Sequence, residues 1–520
     1  MKNLVNYKLY DKGWTVDATF NLLNYESVLN NGDFFRPKAL ISKGLFGKVE
    51  VGFYYEKEQN RRRDAVTDSL QNISFNYDSY KAFITSNESN PFHINAAYTR
   101  RNDDGVSANQ LIAVTTSDDY SLGGGWRLKE SSDLTWQFTF RDFDNLGTVD
   151  NREASKRSLI GTINHRLALW NRGLQVETYA ESNSGQEPKL EFQFIEVQRG
   201  EGSFVWNDYN MDSLQQINEF EIAPLSDLAG FERISVFNNE FISTNKIVFN
   251  SVLRLNPKRI WKEKKKFINR FQSTVRFQFD QRILSEDDES LLPRLRSNLL
   301  DTNLISFNST TDASLFFDRG NVKRDFQITY RQISNKIQQI TGYEVRSLSE
   351  IFTKSRLNII KPLDFVLETR LGERVSDSEL FEIQRFTIDF WEVEPQLNFR
   401  PSPKLRLITS YNLGRSTNQI GDMETSNTRD LGLELTWRKS STSNLQVSFD
   451  WVDIEYNGSR NTPVEFEILQ GLRPGSNFLW LVNYTRRLSK NFDLIINYNG
   501  RKSQDTRVIN TAGVQLRAIF

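Results

Sequence analysis

The chain contains no cysteine and only two histidines in 520 residues. The missing cysteine removes disulfides, thiol nucleophiles and zinc–thiolate sites, and leaves the compartment open, since oxidising and reducing environments both tolerate it. The histidines, His93 and His165, lie in strand-like segments far apart in sequence. A histidine-based triad needs one of them, and the plainer reading is a polar residue on a strand. Long apolar runs are missing as well. A membrane-spanning helix needs roughly 18 or more apolar residues in succession. The longest run in the clearest strands is Phe478 to Val482. Charge of one sign is also lacking, since Lys plus Arg and Asp plus Glu number 66 each. That balance offers no basic face, so no nucleic-acid partner is expected. Nor is there a phosphate-binding glycine loop, a dinucleotide fingerprint or a Cys/His metal spacing.

What is there is two-residue alternation, repeated from end to end. Successive side chains of a strand point to opposite faces, so alternation means one apolar and one polar environment. Trp437 closes a series with Leu431, Leu433 and Leu435, interleaved with Glu434 and Arg438. Leu445, Val447, Phe449 and Trp451 alternate with Gln446, Ser448 and Asp450. Phe492, Leu494, Ile496 and Tyr498 alternate with Asp493, Asn497 and Asn499, with Ile495 the exception. The last segment sets Val514, Leu516, Ala518 and Phe520 against Gln515 and Arg517. Leu134, Trp136, Phe138 and Phe140 repeat the pattern near the other end.

A soluble sandwich would also alternate. Three further features favour a transmembrane β-barrel. Trp and Tyr sit at the ends of the apolar stripes (Trp437, Trp451, Tyr498, Tyr411), as in the interfacial girdles of such barrels. No Pro/Gly/Ser-rich linker divides the strand pattern. The chain ends on an aromatic residue that closes an amphipathic strand. A mean hydropathy of −0.55 does not oppose this, because only alternate residues of a barrel strand meet lipid.

The expected fold is therefore all-β: one domain over 1–520, a large antiparallel transmembrane barrel of about 18–22 strands, the number even. Short turns are expected at Lys361–Leu363, Pro401–Lys404, Ser440–Asn444 and Ser489–Asn491. Longer loops are expected at Glu373–Gln384, Gly414–Arg429, Asn457–Ser476 and Gly500–Arg507, giving strict alternation of periplasmic turns with external loops. This places the strand-like stretch Val464–Leu469 in an external loop. Residues of about 200–233 and 285–302 are poor strands and read as an insertion and a loop. Gly123-Gly124-Gly125 marks a bulge, a bend or a close backbone approach. Trp437, Phe449, Trp451, Phe492, Leu494, Ile496, Leu516 and Phe520 are expected to face lipid, and Glu434, Arg438, Asn497, Gln515 and Arg517 to face the lumen. The N-terminus shows no export signal, so the numbered chain is expected to be a mature form or a C-terminal portion of something longer.

One motif carries chemistry. Asp208-Tyr-Asn210-Met-Asp212-Ser213-Leu214-Gln-Gln216-Ile-Asn-Glu219 follows the calcium-loop pattern, with oxygen ligands at places one, three and five and a glutamate at twelve. Ca²⁺ takes six to eight oxygens, with Leu214 offering its carbonyl, Gln216 the ninth place and Glu219 a pair of oxygens. The sixth place, usually glycine, is Ser213, which is strained at positive φ. An Asp/Asn-rich turn capped by its own side chains is the alternative. The basic run Lys258 to Lys266, with Trp261, fits either anionic lipid headgroups or a solvated loop. The acidic run Glu286 to Glu289 reads as a solvated loop before a cation site.

The segment Gly200-Glu-Gly202-Ser-Phe204-Val-Trp206-Asn-Asp208-Tyr-Asn210-Met-Asp212, continuing to Asn218-Glu219-Phe220-Glu221, resembles a motif of large, mostly uncharacterised outer-membrane proteins of the Bacteroidota. The closing stretches Asn499–Ser503 and Gly513–Phe520 are similar to the same group's C-terminus, whose terminal strand resembles the signal read by the barrel-assembly machinery. The resemblance implies an outer-membrane location, lipid and that machinery as partners, and a partner lipoprotein or plug as an open option. The resulting expectation is a non-enzymatic conduit or a membrane-embedded platform for partner proteins, with structural Ca²⁺. The rivals are a barrel hydrolase or protease and a soluble β-rich binding protein.

Overall fold

The computed structural model describes the chain except residues 1, 29, 129–130, 147–155, 262–266, 285–297, 340–341, 380, 440–441, 505 and 519–520, and the side chains of 2–6, 156, 186–191 and 237–241. Its strands run β1 (Lys2–Asp11), β2 (Trp14–Glu26), β3 (Asn30–Leu45), β4 (Val49–Asp64), β5 (Phe75–Ser86), β6 (Phe92–Ser107) and β7 (Gln110–Leu128). Next come β8 (Ser132–Asn145), β9 (Lys156–Leu169), β10 (Leu174–Glu196), β11 (Phe204–Trp206), β12 (Phe220–Ile222) and β13 (Phe231–Leu255). After the short helix α1 (Pro257–Trp261) follow β14 (Phe271–Leu284), β15 (Leu304–Phe317), β16 (Arg324–Gln339), β17 (Gly342–Ile360) and β18 (Leu363–Ser378). The chain continues through β19 (Phe386–Ser402), β20 (Leu405–Asn418), β21 (Thr425–Lys439) and β22 (Ser443–Asn457). Helix α2 (Pro463–Leu469) precedes β23 (Gly475–Arg487), β24 (Phe492–Ser503) and β25 (Ile509–Ala518).

All the long strands pair antiparallel with their chain neighbours, with β10 pairing directly to β13 across the small β11–β12 hairpin. The meander therefore has 23 strands, not the expected even 18–22. Tight hairpins in the N-terminal half, such as that around Ala108 and Asn109, fit more strands into the length than the C-terminal repeat suggests. Each step reverses direction, so β1 and β25 run the same way. Among the described residues no pairing joins them.

The register keeps one side chain environment to each face. One rung reads Leu407, Leu435, Val447, Val482, Tyr498 and Ala512 across β20–β25. The adjacent rung reads Arg406, Thr436, Gln446, Asn483, Asn497 and Gly513. At the other end Val16, Ile41, Phe53, Ala82, Tyr98 and Tyr120 share one face, while Asp17, Lys81, Thr99, Asp119 and Arg141 share the other. Cross-strand ion pairs lace the polar face, among them Lys8–Asp17 at 3.0 Å, Arg141–Asp119 at 2.7 Å and Arg331–Asp312 at 2.8 Å. Gly123, Gly124 and Gly125 lie in regular pairing within β7, and the register shift of that hairpin falls at Asp103/Asp104. A methyl group at Gly125 would strike the His93 ring, so these glycines serve close approach and not a bulge.

The two ends of the meander differ. At the turn end the connections are mostly short, as at residues 361–362 and 403–404. At the loop end lie residues 197–230, 298–303 and 458–474. The alternation is not strict: Gln339 of β16 pairs with Gly342 of β17 at the loop end, and residues 256–261, with α1, and 267–270 belong to a longer connection at the turn end. Strands also run further than expected into the loop side, with β18 reaching Ser378 and β20 reaching Asn418. Lys258, Arg259 and Trp261 belong to α1, while residues 262–266 and the acidic run 286–289 lie outside the described residues.

Val464–Leu469 forms helix α2 in the loop-end connection. Thr462 caps it, its hydroxyl accepting from the Glu465 amide at 3.1 Å, and Pro463 supplies a preset first-turn φ. Val464, Ile468 and Leu469 bury against Phe386, Ile388, Val452 and Ile454. Helical spacing thus gives this segment one apolar side that docks on the otherwise polar face of the sheet, near its loop end.

Candidate functional site

The connection between β10 and β13, residues 197–230, is built around a small aromatic core. Phe194 and Phe220 stack with ring centroids 4.0 Å apart, and Phe204 and Phe231 meet them edge-on at 5.1 Å. β11 and β12 pair as a three-residue hairpin, which places Trp206 opposite Phe220. From this base the segment reaches over the polar face.

Its contacts fall on strands distant in the sheet. Glu221 meets Arg346 of β17 at 3.3 Å, and Arg346 also holds Glu344 at 2.9 Å. Gln384, before β19, donates to the Asn218 carbonyl at 2.8 Å. Asn461, before α2, donates to the Asp208 carbonyl at 3.0 Å and to that of Tyr209 at 3.4 Å. Asp227 pairs with Arg501 of β24 at 2.8 Å, both groups largely buried, and Asn499 reaches Ser226 at 3.2 Å. On a flat sheet β13 and β24 would lie about 50 Å apart, at ~4.8 Å per strand over the intervening positions. One short segment touches β17 and β24 because the sheet curls with its polar face inside.

Glu221 is buried, and burial pushes its carboxyl up to about 7 against the pull of Arg346. Tyr209 is raised by burial as well, with the Glu221 charge adding to it. This segment has therefore exchanged water for a few specific partners.

Within it, Asp208, Asp212 and Glu219 bring one oxygen each within 4.8 Å of one another. A single Ca²⁺ bound at about 2.4 Å from each oxygen spans that separation. The turn is wound by its own side chains. Asp208 accepts from the Asp212 and Ser213 amides at 3.2 and 2.9 Å, Asn210 from the Asp212 amide at 3.0 Å, and Asp212 from the Leu214 amide at 2.7 Å. Asn210 and Gln216 both present their amide nitrogens to Asp212, at 2.9 and 2.7 Å. Ser213 stands at φ 61, the left-handed conformation that the sixth place of the loop requires. Glu219 is 1% exposed. Its Oε2 accepts from the Trp206 indole at 2.8 Å and the Gln216 amide at 3.3 Å, while Oε1 is buried without a protein partner. An orphaned carboxylate oxygen beside two further carboxylates fits a cation, because burying it bare is costly. Asp208, Asp212 and Glu219 converge, with Asn210 and Gln216 attached to them through Asp212.

Local sequence signals reach no further than this turn. Trp206 lies inside the quoted motif but gave no hint of its bond to Glu219. Arg346, Gln384, Asn461 and Arg501 come from strands and loops 125 to 274 residues away. The histidines do not meet: His93 pairs with Gly125 on the polar face, whereas His165 is opposite Leu134, on the face of Phe92 and Trp126.

Trp437, Phe449, Trp451, Phe492, Leu494, Ile496 and Leu516 share the apolar face and none is buried; Phe520 lies outside the described residues. Glu434, Arg438, Asn497, Gln515 and Arg517 share the opposite face.

Fold and site define an amphipathic antiparallel meander, covered at one end of its polar face by an inserted segment. No family model and no curated protein matches the chain. Solved structures similar to it include the FrpB iron transporter from Neisseria meningitidis (10% identity, 98% of this chain and 81% of that one, TM-score 0.35). The ferric-catecholate import receptor Fiu from E. coli matches at 10% identity over 95% and 77%, with a TM-score of 0.30. The ferric enterobactin receptor PfeA from Pseudomonas aeruginosa matches at 8% over 94% and 74%, with 0.34. Likeness at this level carries no statement about cargo, and the functional reading rests on the chain's own register and contacts.

Proposed function

We propose that this protein is a non-enzymatic β-barrel of a bacterial outer membrane whose polar lumen is covered at the loop end by its own residues 197–230. One observation carries the reading: the apolar face is continuous along the meander and open to the surroundings. Leu371 is 61% exposed, Leu516 60%, Ile84 48% and Phe20 47%. Water tolerates contiguous apolar patches of only a few hundred Å² on a soluble protein, whereas acyl chains welcome them. Trp437, Phe449, Trp451, Leu494 and Leu516 would then meet lipid, and Glu434, Arg438, Asn497, Gln515 and Arg517 the lumen. In a closed wall, β1 and β25 either pair in parallel or take an odd number of further antiparallel strands between them.

Asp208, Asn210, Asp212, the Leu214 carbonyl, Gln216 and Glu219 would hold Ca²⁺ and fix the turn that Asn461 grips. The ion supplies charge neutralisation for three carboxylates and no reaction chemistry. The resemblance to Bacteroidota outer-membrane proteins adds the barrel-assembly machinery as a partner during insertion. It also makes a covered lumen compatible with either a gated conduit or a platform.

Single-channel recording in planar bilayers tests the reading. The intact protein is expected to conduct poorly, and a variant with 198–230 replaced by a short Gly/Ser bridge to conduct several-fold more. A wild type that is already freely conducting sinks the cover. Solubility without detergent, with no heat-modifiable migration on gels, sinks the membrane barrel.

A further inference from the structure

A cavity of about 300 Å³ lies where the inserted segment meets the wall of β15–β17. Phe194, Phe204 and Phe220 line one side. The lining also includes one register rung, Asn308, Asn335 and Arg346, running across three adjacent strands, with Lys336 and Glu344 beside it. Arg233 lines the cavity too, its guanidinium 4.6 Å from the Phe192 ring and 5.2 Å from that of Phe204.

The charges are unequal. Arg346 is matched by Glu221 and Glu344. Among the described residues Arg233 has no carboxylate within ion-pair distance, and its guanidinium lies over the Phe192 and Phe204 rings. A guanidinium held by rings in this way keeps its planar fork free for an acceptor. The amides of Asn308 and Asn335 lie across the same small space. The volume stands at the lower end of ligand pockets, which begin at roughly 300 Å³.

We propose that this cavity binds a small aromatic carboxylate, its flat apolar body against the packed cluster of Phe194, Phe204 and Phe220 and its anionic end on Arg233, with Asn308 and Asn335 as neutral donors. The proposal rests on the reading that residues 197–230 dock on the polar face, because Phe204, Ile217, Phe220 and Ile222 of that segment line the cavity. Stacking against the phenylalanines supplies the area, and the charge-assisted bond fixes orientation. Such a ligand would stabilise the covered state, since only that state has both sides of the site.

The test uses 2-naphthoate and full-length protein in lipid nanodiscs, with empty discs as blank, followed by titration calorimetry. The expected result is one saturable site, weakened about tenfold or more in Arg233→Gln, a loss of at least ~1.4 kcal/mol. The neutral analogue 2-naphthylmethanol is expected to bind at least as weakly as naphthoate binds that variant. Heat-modifiable migration of Arg233→Gln reports that the wall is intact. No saturable naphthoate binding to the wild type, or equal binding by wild type and Arg233→Gln, overturns the proposal. Conductance of the 198–230 replacement reads the cover separately, so an unchanged channel there fails the cover, while loss of naphthoate binding in a covered wild type fails the pocket alone.

Discussion

The wall of this molecule and the segment that covers it are held together by opposite kinds of contact. Along the wall every long strand bonds to its neighbour in sequence or, at β10–β13, to the next long strand, and each bond is one of a repeating ladder. The covering segment hangs on single contacts, Glu221 to Arg346 and Asp227 to Arg501, made to strands far along the chain. Redundancy protects the first against any one substitution. The second concentrates its stability in a few buried polar pairs, so it can be released without dismantling the wall.

Several substitutions would break or sharpen that contrast. The largest effect is expected from Arg346→Met, which strands Glu221 in a buried position. Removing one partner of a buried pair costs about 3–5 kcal/mol. The variant should conduct like the 198–230 replacement while its heat-modifiable migration stays that of the wild type; wild-type conductance would show that this pair does not seat the cover. Next comes a paired test of the wall. Phe449→Arg should cost about 2–4 kcal/mol in refolding from urea into lipid vesicles, whereas Gln446→Arg on the other face should cost almost nothing. Equal penalties would dissolve the distinction between lipid and lumen faces.

Calcium addresses the cover only. Glu219→Gln removes the buried carboxylate charge and should weaken Ca²⁺ binding about tenfold or more, a loss of at least ~1.4 kcal/mol. Calorimetry reads this, and wall stability should not change. Acid acts at Glu221, whose carboxyl sits at about 7 when docked against an ordinary 4.5. Between those values the docked state holds more protons than the released one. Docking therefore strengthens as pH falls through that window and weakens as it rises. Conductance should climb from pH 4.5 to 7 and level off above, and Glu221→Gln should flatten the curve. The smallest effect belongs to Ser213→Gly, which relieves a left-handed residue and should tighten Ca²⁺ binding by about 1 kcal/mol or less.

The legible and illegible parts of the sequence divide along the same line. Alternation at Leu431–Trp437 or Leu445–Trp451 states which side chains share a face, because the two-residue period is a property of the backbone itself. Pro463 illustrates the limit. Val464–Leu469 reads as a strand by composition, yet a threonine cap, a proline in the first turn and an apolar patch waiting on Ile388 and Val452 make it a helix. The oxygen-rich turn is legible because Asp208, Asp212 and Glu219 come from one short stretch. Its buried setting is not, since Trp206 and Asn461 reach it only after folding.

The two faces of the clearest strands and the position of the oxygen-rich turn follow from sequence alone, through periodicity or spacing within a dozen residues. Tertiary structure alone decided the strand count, the inward curl and the pairing of Arg346 with Glu221 and Arg501 with Asp227. Those depend on distances through space between residues that no local period relates.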